Sequence, residues 1–161
     1  MNSENERMDS GKKTFEELLE QDGSFCWTNV GRSMLPLIRE GRDVIVIRKR
    51  PEGRLKKYDA VLFRRPGVTG RGAYVLHRIC RVCPDGTYDI VGDNCIRSES
   101  VKEENILGIL TAVRRNGKTI RADSLPYLLY SRLSCFLFPL RFLLFRSLDL
   151  ARLIRNSLRG H

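Results

Sequence analysis

The residue pattern points to a mainly β domain, a compact antiparallel β-barrel or folded sheet. A short helix precedes it and a helical extension follows it. Three observations lead there. Short β-branched and aromatic runs recur between Phe25 and Arg121. Turn-forming residues separate them at close intervals. On either side of this stretch the apolar spacing becomes that of a helix.

Residues Met1 to Lys13 are polar and mixed in charge, as a solvated tail would be. A short helix is expected next. Thr14 caps it, and Glu17 three residues later completes a capping box. Phe15, Leu18 and Leu19 supply one small apolar face, and Gly23 is a natural stop. Residues 1–24 thus form a tail and helix, and residues 25–121 form the β domain. Its strands are expected at Val44–Ile47, Ala60–Phe63, Tyr74–Ile79, Tyr88–Val91 and Ile106–Val113. Pro84-Asp85-Gly86 reads as a hairpin turn, and Asn116-Gly117 as another leading to Thr119-Ile120.

Residues 122–161 make up the extension, rich in Leu, Phe and Arg and broken at Pro139. Beyond the proline, Leu143, Leu150, Ile154 and Leu158 fall on one side of a helix. Arg141, Arg152, Arg155 and Arg159 fall on the other, and Arg146 interrupts the separation. Such a face suits an anionic membrane interface. It suits equally a helix docked on the β domain with solvated arginines.

The totals narrow the class. The chain has 161 residues, of which 42% are hydrophobic, enough for one domain with a genuine core. No internal repeat or long low-complexity segment is present. The net charge of +10 attracts phosphate backbones or anionic lipid without choosing between them. The clusters Arg48-Lys49-Arg50, Lys56-Lys57 and Arg64-Arg65 lack the interleaved aromatics that stack bases, so no specific nucleic acid is expected. Five cysteines, an odd number, and the absence of a signal-peptide-like apolar core argue against a disulfide scaffold. A reducing, cytoplasmic setting, peripheral to a membrane if the last segment binds one, is the simplest expectation.

Three stretches combine reactive residues with turn formers. In Gly31-Arg32-Ser33-Met34-Leu35-Pro36, Gly31 permits unusual backbone angles and Pro36 stops helix propagation, so Ser33 can present its hydroxyl outward. In Tyr74–Ile79, His77 shares a strand face with Val75 and Ile79. It is also the side chain best suited to accept a serine proton near neutral pH. In Val91-Gly92-Asp93-Asn94, Asp93 reads either as an Asx turn or as a carboxylate that orients His77. His77, Cys80, Cys83 and Cys95 have a spacing that zinc could use. In a regular strand, however, His77 and Cys80 face opposite ways. No cofactor is expected.

Taken together and in this order, the blocks resemble the signal-peptidase-like serine peptidases, the superfamily that includes the self-cleaving repressor domains. The blocks are Gly31-x-Ser33-Met34-x-Pro36, Gly41-Arg42-Asp43-Val44, Tyr58–Phe63, His77-Arg78-Ile79, Gly92-Asp93-Asn94 and Ile106-Leu107-Gly108. They span Val30 to Val113, about half the chain. His77 stands where one branch has a catalytic lysine, so the chain is similar to the histidine branch. It lacks that family's N-terminal membrane anchor and is similar to the small soluble forms. The resemblance implies a serine endopeptidase cutting a peptide or precursor protein. Ser33 is then the nucleophile and oxyanion donor, His77 the base and Asp93 its orienting acid, with Met34 and Pro36 beside the substrate. Three departures stand out. Gly31 replaces a second serine, Cys95 follows Asn94 where the histidine branch has an acid-rich run, and Glu99 stands in for one of those acids. A peptide-binding module of the same fold without turnover is the alternative reading.

Overall fold

The computed structural model describes residues 13–28, 30–69 and 73–159, with side chains through Arg141 and at Leu143. Of the polar tail expected from Met1 to Lys13, residues 1–12 lie outside these residues. So do the side chains of Arg146, Leu150, Arg152, Ile154, Arg155, Leu158 and Arg159, on which the expected two-sided helix depends.

Helix α1 (Phe15–Asp22) begins and ends as its residues dictate. Thr14 Oγ1 accepts from the Glu17 N–H at 3.2 Å, and the Glu17 carboxylate accepts from the Thr14 N–H at 2.8 Å. Gly23 closes the helix in the left-handed region at φ 68°. Leu19 is buried, and Phe15 stacks on Phe25 with ring centroids 4.8 Å apart.

Eight antiparallel strands follow: β1 (Ser24–Thr28), β2 (Asp43–Lys49), β3 (Ala60–Arg64), β4 (Tyr74–Val82), β5 (Thr87–Val91), β6 (Ser98–Lys102), β7 (Ile106–Arg115) and β8 (Lys118–Arg121). The sheet order is β1-β2-β7-β3-β4-β5-β6, with β8 added to β7. Among the described residues β1 and β6 remain edges, so the sheet is open and does not close as a barrel. Asn116 and Gly117, both at positive φ, turn the β7–β8 hairpin as the sequence suggests. β1 and β6 fall outside the runs that mark the other strands. As edges buried on one side only, they carry Ser, Thr, Cys, Glu and Lys rather than continuous β-branched residues.

Apolar burial occurs on both faces of β3, which explains its unbroken Ala60-Val61-Leu62-Phe63 run. Ala60 and Leu62 join Met34, Ile38, Ile45, Ile47, Leu76 and Val113 in one core. Val61 and Phe63 join Ile79, Tyr88, Ile90 and Ile106 in the other. A buried carboxylate, Asp43, ties the first core's rim together. It accepts from Arg42, from Arg115 and from the Arg39 N–H, and Arg115 also donates to Leu37 O at 2.6 Å. Burial alone would raise the Asp43 pKa, but these donors outweigh it and hold the carboxyl well below its ordinary value.

Helix α2 (Leu125–Arg159) is continuous through Pro139, where a break was expected. A proline removes one backbone donor and crowds the preceding turn. The carbonyl left without its helical donor is that of Cys135, and the helix nevertheless continues, docked on the sheet through Tyr127, Ser131 and Ser134. No helix among the described residues is long and apolar enough to cross a membrane.

Candidate active site

Ser33 sits in the turn between β1 and β2. Gly31 precedes it at φ 98°, a conformation that side chains strongly disfavour, and its N–H donates to the Glu40 carboxylate at 3.0 Å. Met34 and Ile38 are fully buried and anchor the turn from below, leaving Ser33 half-buried at the surface. Met34 is therefore a core side chain rather than a substrate contact, because its apolar chain is excluded from solvent by the first core. Pro36 remains exposed. From the other side Asn94 clamps the turn. Its N–H donates to Ser33 O at 2.7 Å and its amide to Arg32 O at 3.2 Å.

The alternation of β4 settles which groups meet. Val75 and Ile79 belong with the second core, and the His77 ring on the same face lies 6.1 Å from Phe63. Arg78 points the other way, towards α2. Gly92, just past β5, brings the Ser33 turn and His77 together. A Cβ at Gly92 would lie 2.8 Å from Ser33 O, 2.9 Å from His77 Nε2 and 2.7 Å from Cys95 Sγ. Both the serine backbone and the imidazole nitrogen therefore border one point that only a hydrogen can occupy.

Asp93 is not the partner of His77. Its side chain emerges on the face opposite the Gly92 contact and is engaged by Arg78 through two hydrogen bonds of 2.8 and 2.7 Å. Tyr130 and Ser134 of α2 also donate to it. Arg78 further donates to Tyr58 O, Tyr127 Oη and Ser131 Oγ, so this buried pair is the joint between α2 and the sheet. Burial opposes the Arg78 charge, but its bonds to Asp93 prevail and raise its pKa.

The carboxylate that faces His77 is Glu99. The strand register explains why. Ile79 pairs with Ile90, and Ile90 with Glu99, so Glu99 lies on the His77 face. Its Oε1 is 3.4 Å from His77 Nδ1, a nitrogen that makes no hydrogen bond among the described residues. Arg65 grips both Glu99 oxygens, at 2.6 and 2.5 Å. A cleft of about 420 Å³ opens beside this pair, bordered by Phe63, Pro66, Val101 and Lys102.

Burial is the main reason that the His77 pKa is pulled down from 6.5 to about 4. Glu99 opposes the shift, Arg65 reinforces it, and the Asp93 charge opposes it. His77 is therefore neutral at pH 7. Because the unfolded chain takes up this proton more readily, the stability contributed by neutral His77 is full above pH 6.5. It is lost as pH falls towards 4, at up to about 1.4 kcal/mol per pH unit. Glu99→Gln removes an opposing charge and frees that of Arg65, so it should lower the His77 pKa further. The chain has only two histidines, so NMR titration of their ring carbons reads this directly. At the pH where wild-type His77 is half protonated, the variant ring should remain neutral. An unchanged or raised midpoint contradicts the Glu99 assignment.

The cysteines are dispersed. Cys80 Sγ faces Cys135 Sγ of α2 at 3.0 Å, while Cys95 borders Gly92, and the described residues hold no cluster of three or more metal-ligating side chains. Burial raises the Cys95 pKa and disfavours its thiolate. Sequence reasoning gave Asn94, Gly92 and Arg65 no role. The Gly92-Asp93-Asn94 block was the signal for the first two. The search of protein-family models found no match to this chain, and no curated protein matches it significantly.

Proposed function

We propose that the chain is a serine endopeptidase built on a signal-peptidase-type folded sheet of the histidine branch. The observation that carries this reading is the approach of the Ser33 turn and His77 Nε2 to the same point at Gly92. His77 holds its proton on Nδ1 towards Glu99, leaving the Nε2 lone pair free for Ser33. Ser33 Oγ attacks the scissile carbonyl while Nε2 takes the hydroxyl proton. The oxyanion is met by the Ser33 N–H. His77 then passes the proton to the leaving amine, and water, activated by the same nitrogen, releases the acyl group. Glu99, fixed by Arg65, orients the imidazole. Its 3.4 Å separation from Nδ1 has the looseness common to catalytic contacts without substrate.

Edge strand β1 supports a peptide substrate. It is paired only with β2 and leads within five residues to Ser33, so an extended peptide added along it reaches the nucleophile. Digestion of a complex peptide mixture followed by mass spectrometry tests the reading. Ser33→Ala and His77→Ala should each reduce cleavage by at least about 10³-fold, and cleavage that persists in both variants contradicts it. A peptide-binding module without turnover is the second reading, favoured by the unbonded Nδ1 of His77. Peptide binding by a wild-type protein that cuts nothing would establish it.

A further inference from the structure

Eight large apolar side chains are strongly exposed among the described residues, and six of them lie on α2. These are Leu125, Leu129, Leu133, Phe136, Leu140 and Leu143, with exposures from 54% to 77%. At about 100° per residue they fall within an arc of roughly 80°, and at 1.5 Å rise they form a stripe about 27 Å long. The opposite side of the helix is the docked one, with Tyr127, Ser131 and Ser134 buried against the Arg78–Asp93 pair. The stripe is therefore held outward by a rigid joint. It also differs from the face expected beyond Pro139, since it begins at the first residue of the helix.

The charge of the segment selects what covers it. From Leu125 onward the chain carries six arginines, Arg132, Arg141, Arg146, Arg152, Arg155 and Arg159, against the single acid Asp149. Four of these arginines fall on the side of the helix away from Leu143, so what opposes two such helices meeting face to face is chiefly the net charge, on chains that each carry +10. An anionic surface neutralises that charge and takes up the apolar side chains at once.

We propose that α2 lies in the interface of an anionic lipid bilayer through the Leu125–Leu143 stripe, holding the β domain at the membrane surface. This assignment is independent of the Ser33 chemistry. The test is co-sedimentation of the full chain with vesicles of phosphatidylcholine alone and of phosphatidylcholine with phosphatidylglycerol. The wild-type protein should partition onto the anionic vesicles and be released by salt, with far weaker binding to the neutral ones. Phe136→Ser/Leu140→Ser and, separately, Leu129→Ser/Leu133→Ser should each weaken partitioning at least about tenfold, given the apolar area removed. All four positions are exposed, and unchanged circular dichroism confirms that the variants are folded. Failure to bind anionic vesicles at low salt overturns the proposal, as does equal binding by the variants. A lipid-free dimer that these substitutions convert to monomer also overturns it, because a second copy would then cover the stripe.

Discussion

Gly92→Ala should reduce turnover at least about a hundredfold while leaving the protein folded, the loss typical of a displacement near 1 Å at a reacting centre. The added methyl meets Cys95 Sγ at 2.7 Å, Ser33 O at 2.8 Å and His77 Nε2 at 2.9 Å. The thiol can swing away and the imidazole can tilt. The Ser33 carbonyl is backbone, held by the Asn94 N–H, and moves only if the nucleophile moves with it. Adding Cys95→Ala therefore should not restore activity. The readout is cleavage rate alongside a thermal melt, and a Gly92→Ala protein that cuts at the wild-type rate removes the basis for placing Ser33 beside His77.

The second large effect is on stability. Asp93→Ala leaves the Arg78 guanidinium buried without its carboxylate, and Arg78→Met does the reverse. Each should cost about 3–5 kcal/mol, the loss seen when one member of a buried pair is removed. Both side chains are 1% exposed, so solvent does little to compensate. The double substitution Arg78→Met/Asp93→Leu should cost clearly less than the sum of the single changes, because the two groups act as one unit. Urea unfolding followed by circular dichroism measures this. If Asp93→Ala instead left stability intact and abolished cleavage, Asp93 would be the orienting acid of His77 and Glu99 would not.

Most strands were legible because apolar runs and turn pairs are local signals. The capping box of α1 and the Asn116-Gly117 hairpin are read from a few adjacent residues and are found where expected. The edge strands β1 and β6 were not, since strands buried on one side carry mixed residues. Pro139 misled for a related reason. A proline's local cost is read from sequence, but the docking of α2 on the sheet through Tyr127, Ser131 and Ser134 is tertiary and overrides it. Motif order singled out Ser33 and His77, and the structure brings the Ser33 turn and the His77 ring to one glycine. Asp93 was expected to orient His77, whereas its carboxylate is taken by Arg78 and it is its neighbour Gly92 that borders the imidazole. Which of two acids meets an imidazole depends on register across β4, β5 and β6, and that register is a tertiary fact. The resemblance put Met34 beside the substrate, whereas the structure buries it in the first core beneath the Ser33 turn.

The central claim is that Ser33 is a nucleophile activated by His77. Reaction with a fluorophosphonate, followed by intact mass and peptide mapping, tests it most directly. One adduct should form on the wild-type protein and map to Ser33. It should be absent from Ser33→Ala and be slowed at least about a hundredfold in His77→Ala, the contribution expected of a general base. Wild-type protein that takes up no label, or a His77→Ala variant labelled at the wild-type rate, would contradict the mechanism.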